Sequence, residues 1–301
     1  MGDCLYRRPD GSRGCPPGGV GQNSGILTAV ARVSVICPTY QRGAQLREMI
    51  GYYRAQTFNG ALELLILDDS PEPSEFLASG QYRDGGVRYI HRPGDRMSIG
   101  AKLNSLMELA RGDVLMRFDD DDYYAPDYVE RMLELLGDDD YLTLSGWFAY
   151  SPTHGKFCCW QTDVMSPLHF VLSPCDPFGV AATAGLDPDS VVRPSLNGYG
   201  FASAWRRRVA DAVRFPERDH GEDAEFVERV VNAGFQVRYA ADVEGLVLHV
   251  MHQNNISRVL PQYLLPDFVL GKYFPGYARS PGDNGLAGPT LAQSYMVYNI
   301  G

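Results

Sequence analysis

Four consecutive aspartates at positions 119–122 directly follow an apolar stretch at 114–118. Placing four like charges together costs free energy unless a counter-charge offsets them, and a hard divalent cation with oxygen ligands supplies that charge. Side chains at i and i+2 leaving a strand point the same way, so Asp119 and Asp121 can converge, with Asp122 beside them. The cluster predicts a metal site. The competing interpretation is a solvated acidic loop that caps the next helix.

An ion held by only two or three carboxylates keeps open coordination positions, which suits a diphosphate. Mg²⁺ or Mn²⁺ is therefore the expected cofactor, because an acidic protein needs a cation to handle an anionic nucleotide. Lys102, with Arg92 and Arg96 just upstream, can add positive charge. For the two arginines, ordinary solvation is the alternative.

The pair Glu222-Asp223 opens a helical pattern with Val227, Val230 and Val231 on its apolar face. A carboxylate at a helix N-terminus is expected to stay ionised, because the dipole and free N–H groups favour the anion. An ionised carboxylate is the state that a general base requires. Helix capping by Asp223 is the competing interpretation.

These residues are carried by alternating strands and helices. Short apolar runs predict strands at 33–37, 62–67, 87–90 and 114–118, and helical periodicity predicts helices at 44–55 and 99–110. Such alternation indicates an α/β fold, a mostly parallel sheet flanked by helices. Ligands of these sheets bind beyond the carboxyl ends of the strands, where the polar residues lie. The glycine-rich dinucleotide and P-loop motifs are absent from the sequence.

The C-terminal half is less regular. Strands are predicted at 141–150 and 156–164, helices at 202–213 and 223–231, and further strands at 235–240 and 245–249. Two histidines, His249 and His252, follow the last strand, and neutral imidazoles there can serve as metal ligands or diphosphate contacts.

Composition narrows the possible partners. The 301 residues include 27 Lys+Arg and 37 Asp+Glu, a formal net charge of −10, which makes a nucleic-acid partner unlikely. No apolar run is long enough for a membrane span, and no signal peptide is evident. Six cysteines do not form a disulfide framework, although Cys4 and Cys15 can pair. The expectation is a cytoplasmic protein.

Six segments together resemble the family 2 glycosyltransferases of the GT-A fold. They are 33–42 (VSVICPTYQR), 64–70 (LLILDDS), 99–104 (IGAKLN), 112–127 (GDVLMRFDDDDYYAPD), 221–226 (GEDAEF) and 252–257 (HQNNIS). Each motif alone is weak, but their order matches that of the family. Composition predicts a flexible arm at 1–30 and an aromatic, Pro/Gly-rich tail at 261–301, which the resemblance does not cover, and the resemblance implies a GT-A domain at 31–260. The nucleotide-sugar half would be 31–125 and the acceptor half 126–260.

The resemblance also implies an inverting, metal-dependent transfer from a nucleotide-sugar, with a UDP-sugar as the preferred donor, to an acceptor hydroxyl. The donor-binding residues would be Pro38, Thr39, Tyr40, Asp68, Asp69, Lys102 and Asp120. The metal ligands would be Asp119, Asp121, Asp122, His252 and, as the alternative histidine, His249. Asp223 would be the base, and Glu222 would hold an acceptor hydroxyl or orient its loop.

Two other functions remain open: a nucleotidyltransferase on a similar sheet, and a non-catalytic sugar- or nucleotide-binding module. The sequence does not identify the sugar, the acceptor or the oligomeric state. Trp205 is a candidate for an acceptor-facing loop, because aromatic faces pack against sugar rings, whereas Trp147 and Trp160 are expected in the core.

Overall fold

The computed structural model describes residues 31–80, 85–173, 176–187, 192, 195–197, 199–252, 255, 258–277 and 296–299. The predicted arm at 1–30, with Cys4 and Cys15, lies outside this part of the chain. Ala31–Gly301 forms one compact unit. The division of that unit into a domain and a tail at residue 260 stays a prediction.

The described residues form the following elements. The strands are β1 (Val33–Thr39), β2 (Leu62–Asp68), β3 (Val87–His91), β4 (Val114–Arg117), β5 (Tyr123–Tyr124), β6 (Tyr141–Ser151), β7 (Lys156–Gln161), β8 (Leu168–Val171), β9 (Gly179–Ala182), β10 (Ser203–Arg206), β11 (Val237–Ala241), β12 (Val247–Val250), β13 (Tyr263–Leu265) and β14 (Met296–Asn299). The helices are α1 (Gly43–Arg54), α2 (Glu75–Ala78), α3 (Ile99–Leu109), α4 (Tyr128–Leu136), α5 (Arg207–Ala212), α6 (Glu222–Asn232) and α7 (Asp267–Tyr273), with a 3₁₀ turn at Gly200–Ala202.

Four parallel strands, in the order β3-β2-β1-β4, form one half of the main sheet. β10 then inserts antiparallel to both β4 and β6, and β7 and β13 extend the sheet beyond β6. β5, β11 and β12 join off this path, and β8, β9 and β14 form a second, small sheet. The predicted α/β fold with a mostly parallel sheet is confirmed.

Two hydrophobic cores cover the two faces of the parallel strands. Val35 and Cys37 pack into the core that includes α1, whereas Ile36 packs into the core that includes α3. Strands buried on both faces read as continuous apolar runs rather than alternating ones, which explains the VSVIC and LLIL patterns. Each fully buried aliphatic side chain contributes about 1.5–3 kcal/mol to the free energy of folding. This burial fixes the position of each strand in the sheet.

The fixed register brings the polar strand ends together. Thr39 pairs with Asp68 across β1 and β2, and the amide of Phe118 donates to the carbonyl of Ile36 at 3.0 Å. The segments that follow β1, β2 and β4 therefore leave the sheet at one edge. This edge carries most of the residues singled out by their chemistry.

In the second half, the strands predicted at 141–150 and 156–164 correspond to β6 and β7, which pair antiparallel. The helix predicted at 202–213 is wrong over its first half. Residues Ser203–Arg206 form β10, and only Arg207–Ala212 is helical. Pairing with β4 and β6 outweighs the local helical pattern, because strand formation depends on the tertiary surroundings. Among the described residues, each helix is too short or too polar to cross a bilayer.

Candidate active site

The acidic run after β4 is not a solvated loop. Asp120 and Asp122 are only 8% and 2% exposed, and helix α4 begins at Tyr128 with no side-chain cap. The helix-capping interpretation of the run is therefore wrong. Ligand oxygens of Asp119, Asp121 and Asp122 lie within 4.8 Å of one another. Burying these charges requires strong partners, and each aspartate has a different one.

Asp121 is held by one arginine and one histidine. Its Oδ2 accepts from Arg42 Nη1 at 2.5 Å and lies 2.8 Å from His252 Nε2. Burial opposes ionisation, but the hydrogen bond from His252 and the charge of Arg42 prevail and lower the pKa of Asp121 to about 2. Asp121 is therefore ionised at neutral pH.

Asp122 lies against the other histidine. Its carboxylate contacts His249 Nδ1 at 2.9 Å and accepts from the amide of Val250 at 2.9 Å. Burial raises the pKa of Asp122 to about 6, against the opposing charge of His249. The imidazole of His249 stacks on Phe201 with ring centroids 4.8 Å apart. Its buried Nε2 has no hydrogen-bond partner within the described part of the chain.

Asp120 lies on a different side of the run. Its Oδ2 accepts from Thr39 Oγ1 at 2.5 Å, and Asp120 is not among the three converging aspartates. Burial and the neighbouring charge of Asp121 raise the pKa of Asp120 to about 8. Asp120 thus links the acidic run to the end of β1, in keeping with its predicted place on the donor side.

Arg117 joins the acidic run to the predicted base. Its guanidinium donates to both carboxylate oxygens of Asp119, at 2.7 and 3.2 Å. The Nη1 atom of the same group donates to Asp223 Oδ1 at 2.5 Å and lies 3.5 Å from Glu222. A bidentate arginine fixes geometry as well as charge, so Asp119 and Asp223 are held on either side of one buried cation.

Asp223 does not cap its own helix. Helix α6 has Gly221 at its N-cap and no side-chain cap bond, and Asp223 Oδ2 accepts from the amide of Gly200 at 3.0 Å instead. The capping interpretation of Asp223 is therefore wrong.

Burial raises the pKa of Asp223 although Arg117 opposes the shift. The direction is opposite to the one expected from the helix dipole. Burial and the charge of Asp223 also raise the pKa of Glu222 to about 7.

The residues predicted to bind the nucleotide lie together at the ends of β1 and β2. Lys102, buried in α3, pairs with Asp69 and donates to the carbonyl of Thr39 at 2.9 Å. The ring of Tyr40 lies 5.6 Å from the Lys102 ammonium, and half-buried Pro38 lies just before it on β1. Lys102 therefore links Thr39 at the end of β1 to Asp69, which follows β2.

Asp68 accepts three hydrogen bonds from neighbouring groups. One oxygen accepts from the amide and hydroxyl of Ser70, and the other accepts from the Tyr89 hydroxyl at 2.6 Å. One oxygen of Asp69 accepts from the amide of Met97 at 2.6 Å. These bonds shape the turn after β2 and reduce the capacity of both carboxylates to accept from a nucleotide base.

A cavity of about 230 Å³ adjoins the acidic run. Asp121 and His252 line it on one side, and Glu48 and Tyr52 of α1 line it on the other. Tyr277, from the predicted tail, completes the wall. Asp223 is not one of its lining residues.

The tryptophans all belong to the core. Trp147 and Trp160 are buried, as expected. Trp205 is fully buried on β10 and packs between Tyr141 and Phe226. Its predicted place on an acceptor-facing loop is therefore wrong.

Sequence reasoning missed Arg42, Arg117 and Gly200. The sequence did contain an indication of Arg117. It is a lone cationic residue in an apolar strand, two positions before Asp119, so its side chain lies on the same face of the strand as Asp119. Arg42 stands at the end of the first quoted motif. Nothing in the sequence around Gly200 indicates that its amide contacts Asp223.

Comparisons with known proteins agree with this geometry. Residues 34–174 match the model of the family described as Glycosyl transferase family 2. EpsH of Bacillus subtilis (strain 168), named as a glycosyltransferase, is 25% identical over 237 residues, which cover 77% of this chain and 63% of EpsH. Glycosyltransferase GlyG of Streptococcus pneumoniae is 23% identical over 133 residues, 43% of this chain and 44% of GlyG.

Solved structures share the fold at lower identity. A mannosyltransferase from Pyrobaculum calidifontis, in complex with GDP-Man and Mn²⁺, has a TM-score of 0.50 and 17% identity, and the match covers 74% of this chain and 57% of the other. TarS 1-349 of S. aureus, in complex with UDP-GlcNAc, has a TM-score of 0.51 and 15% identity, covering 74% and 60%.

The fold is that of the GT-A glycosyltransferases. Residues 34–174 match the family 2 model, which confirms the predicted resemblance, and the relatives named above are glycosyltransferases, in agreement with the predicted class of enzyme. The chain spans less than two thirds of the length of EpsH and of the mannosyltransferase.

Proposed function

We propose that this protein transfers a sugar from a nucleotide-sugar, with a UDP-sugar as the preferred donor, to an acceptor hydroxyl with inversion at the anomeric carbon. The transfer depends on Mn²⁺ or Mg²⁺. The observation that carries the proposal is that Asp119 connects the acidic cluster to Asp223. Its carboxylate belongs to the converging acidic group, and the same carboxylate is tied through Arg117 to Asp223.

The donor set fits a divalent ion. Asp119, Asp121 and Asp122 supply hard oxygen ligands, and His252 Nε2 lies 2.8 Å from Asp121. A group of carboxylates with one imidazole suits Mn²⁺ or Mg²⁺ better than it suits a soft metal ion, which prefers sulfur ligands. When bound, the ion supplies positive charge that stabilises a departing diphosphate.

The nucleotide would bind beyond the ends of β1 and β2. Pro38, Thr39 and Tyr40 border that edge, and Lys102 holds Asp69 below it. The relatives support a nucleotide-sugar donor, since TarS binds UDP-GlcNAc and the mannosyltransferase binds GDP-Man. A panel of UDP-sugars and GDP-sugars shows whether the donor carries uracil or guanine, because only an accepted donor releases free nucleotide.

Asp223 would accept the proton of the acceptor hydroxyl. Each carboxylate oxygen has two lone-pair positions, so the bonds to Arg117 and Gly200 leave sites for that proton. A raised pKa makes Asp223 a stronger base, and the Arg117 charge favours its ionised form. Glu222, beside it, would orient the acceptor.

Metal dependence is tested by titration calorimetry with UDP, with and without Mn²⁺, and by nucleotide release after EDTA treatment. We expect UDP binding to need the ion and EDTA to abolish release. UDP binding of equal strength in EDTA would refute the metal-dependent proposal.

The base is tested with Asp223→Asn. Loss of the base should lower the transfer rate by about 10²–10⁴-fold while UDP binding is retained. Asp211→Asn, an exposed position on α5, is the matched control and should transfer at the wild-type rate. Undiminished transfer by Asp223→Asn would remove this residue from the mechanism.

The same assays decide between this function and the alternatives. Release of pyrophosphate from a nucleoside triphosphate would identify a nucleotidyltransferase. Tight nucleotide-sugar binding without release of nucleotide across the panel would identify a binding module.

A further inference from the structure

Arg42 occupies the space between two predicted metal ligands. Its Nη1 atom lies 2.5 Å from Asp121 Oδ2 and 2.9 Å from His252 Nε2. The two ligand atoms are themselves 2.8 Å apart, and Arg42 Nη1 also lies 3.7 Å from Asp120 Oδ1. One guanidinium nitrogen therefore contacts both groups at hydrogen-bond distance.

The spacing of these groups matches that of neighbouring ligands around one ion. Mg²⁺-type ions bind oxygen at about 2.1 Å in octahedral geometry, which puts adjacent ligand atoms about 3.0 Å apart. The 2.8 Å between Asp121 Oδ2 and His252 Nε2 is close to that value. A guanidinium and a divalent cation thus compete for the same two atoms, because their like charges exclude each other at this distance. Binding of the cation by His252 also needs the Nε2 lone pair, so it replaces the hydrogen bond between His252 and Asp121.

The backbone holds Arg42 in this position, and there is space beside it. Gln41, which precedes it, has a φ of 54° and its amide donates to Ser70 Oγ at 2.7 Å. Arg42 also borders a second cavity of about 240 Å³, lined further by Asp68 and Glu72. Since a water molecule takes about 30 Å³ of liquid volume, this cavity is large enough for a displaced guanidinium, and its acidic lining offers a new partner.

We infer that Arg42 is a displaceable counter-ion: it neutralises Asp121 and binds His252 until a divalent cation takes those ligands, and it then moves toward the neighbouring cavity. The inference rests on the proposed metal site. It adds that Arg42 competes with the divalent cation and so sets the cation concentration at which the site fills. The apparent affinity for an ion falls by the fraction of molecules in which Arg42 holds the ligands.

The test measures Mn²⁺ binding alone, without nucleotide, by calorimetry and by the EPR signal of free Mn²⁺. Arg42→Met removes the guanidinium and keeps the apolar stem, so the dissociation constant for Mn²⁺ should fall by about tenfold or more. Arg42→Lys keeps a charge without the planar fork and should give an intermediate value. Arg47→Met removes one positive charge from α1, the helix that Arg42 precedes, where Arg47 lies over Phe76, and should leave the constant unchanged.

Thermal unfolding gives a second readout. Without metal, Arg42→Met should melt below wild type, because Asp121 loses its counter-charge. Saturating Mn²⁺ should raise the melting temperature of Arg42→Met more than that of wild type, since the ion binds the variant more tightly.

Each contrary result has a distinct meaning. If wild type binds Mn²⁺ and Arg42→Met binds it equally or more weakly, the inference is overturned while the proposed function stands. If Arg42→Met changes only UDP binding in the presence of Mn²⁺, Arg42 is a phosphate contact and the inference is again overturned. If no variant binds Mn²⁺, with or without UDP, both the inference and the metal-dependent function fail.

Discussion

Replacing Gly200 by alanine should displace the proposed base and leave most of the donor site in place. A Cβ built on Gly200 would lie 2.3 Å from Asp223 Oδ1 and 2.5 Å from Arg117 Nη1. Ordinary van der Waals contact begins at 3.4 Å, so the carboxylate must move by 3.4 − 2.3, or about 1 Å. That movement disrupts the 2.5 Å bond between Asp223 and Arg117.

A shift of about 1 Å in a reacting group can lower a rate by about 10²-fold. We therefore expect Gly200→Ala to lower kcat for nucleotide release by about that factor when donor and acceptor saturate. UDP binding in the presence of Mn²⁺ should weaken far less than kcat falls, because Asp121, His252 and Lys102 are untouched and only Asp119 contacts the displaced Arg117. The measurements are steady-state kinetics with an accepted donor and titration calorimetry with UDP.

Gly51→Ala is the matched control. Gly51 lies in the middle of α1, and a Cβ added there would meet no atom within 4 Å. Alanine at this position should raise stability by about 0.5–1 kcal/mol and leave kcat unaltered. A wild-type kcat in Gly200→Ala, with the protein folded and stable, would show that the position of Asp223 does not limit the reaction and would refute the reasoning.

Two further predictions follow from burial. The pKa of Glu222 is raised to about 7 from its ordinary 4.5, so its stabilising contribution is fully present below pH 4.5 and is lost as pH rises through 7. Glu222→Gln should therefore be more stable than wild type by (7 − 4.5) × 1.36, or about 3 kcal/mol, at pH 8 and equal to it near pH 4. Urea denaturation at the two pH values measures this, and a constant difference would contradict it. Trp205→Ala should lose about 3–5 kcal/mol, whereas Trp205→Phe should keep the wild-type acceptor KM; a raised acceptor KM at unchanged stability would return Trp205 to the acceptor site.

The position of each strand end could be predicted from the sequence, but the partners of the acids could not. Apolar runs such as 33–37 and 62–67 specify buried parallel strands, because few other structures bury both faces of so short a segment. They also place the acids just beyond the strand ends. Helix α6 was likewise predicted, although the direction of the Asp223 carboxylate was not.

Long-range contacts account for what was missed. Arg42 and Asp121 are 79 residues apart, and Arg117 and Asp223 are 106 apart. No local period reports such pairs. The error at Ser203–Arg206 has the same origin, since a four-residue strand forms there only because β4 and β6 present open edges on both sides.

The sequence by itself determined the alternation of strands and helices, the family, and the residue types available for binding a cation and accepting a proton. Those properties depend on short-range periodicity and on the identity of side chains. Only the tertiary structure decided which charges face each other: that Arg117 binds both Asp119 and Asp223, and that Arg42 lies between Asp121 and His252. Burial then sets how strongly these charges interact, because their energies depend on distances of a few ångströms in a low-dielectric site.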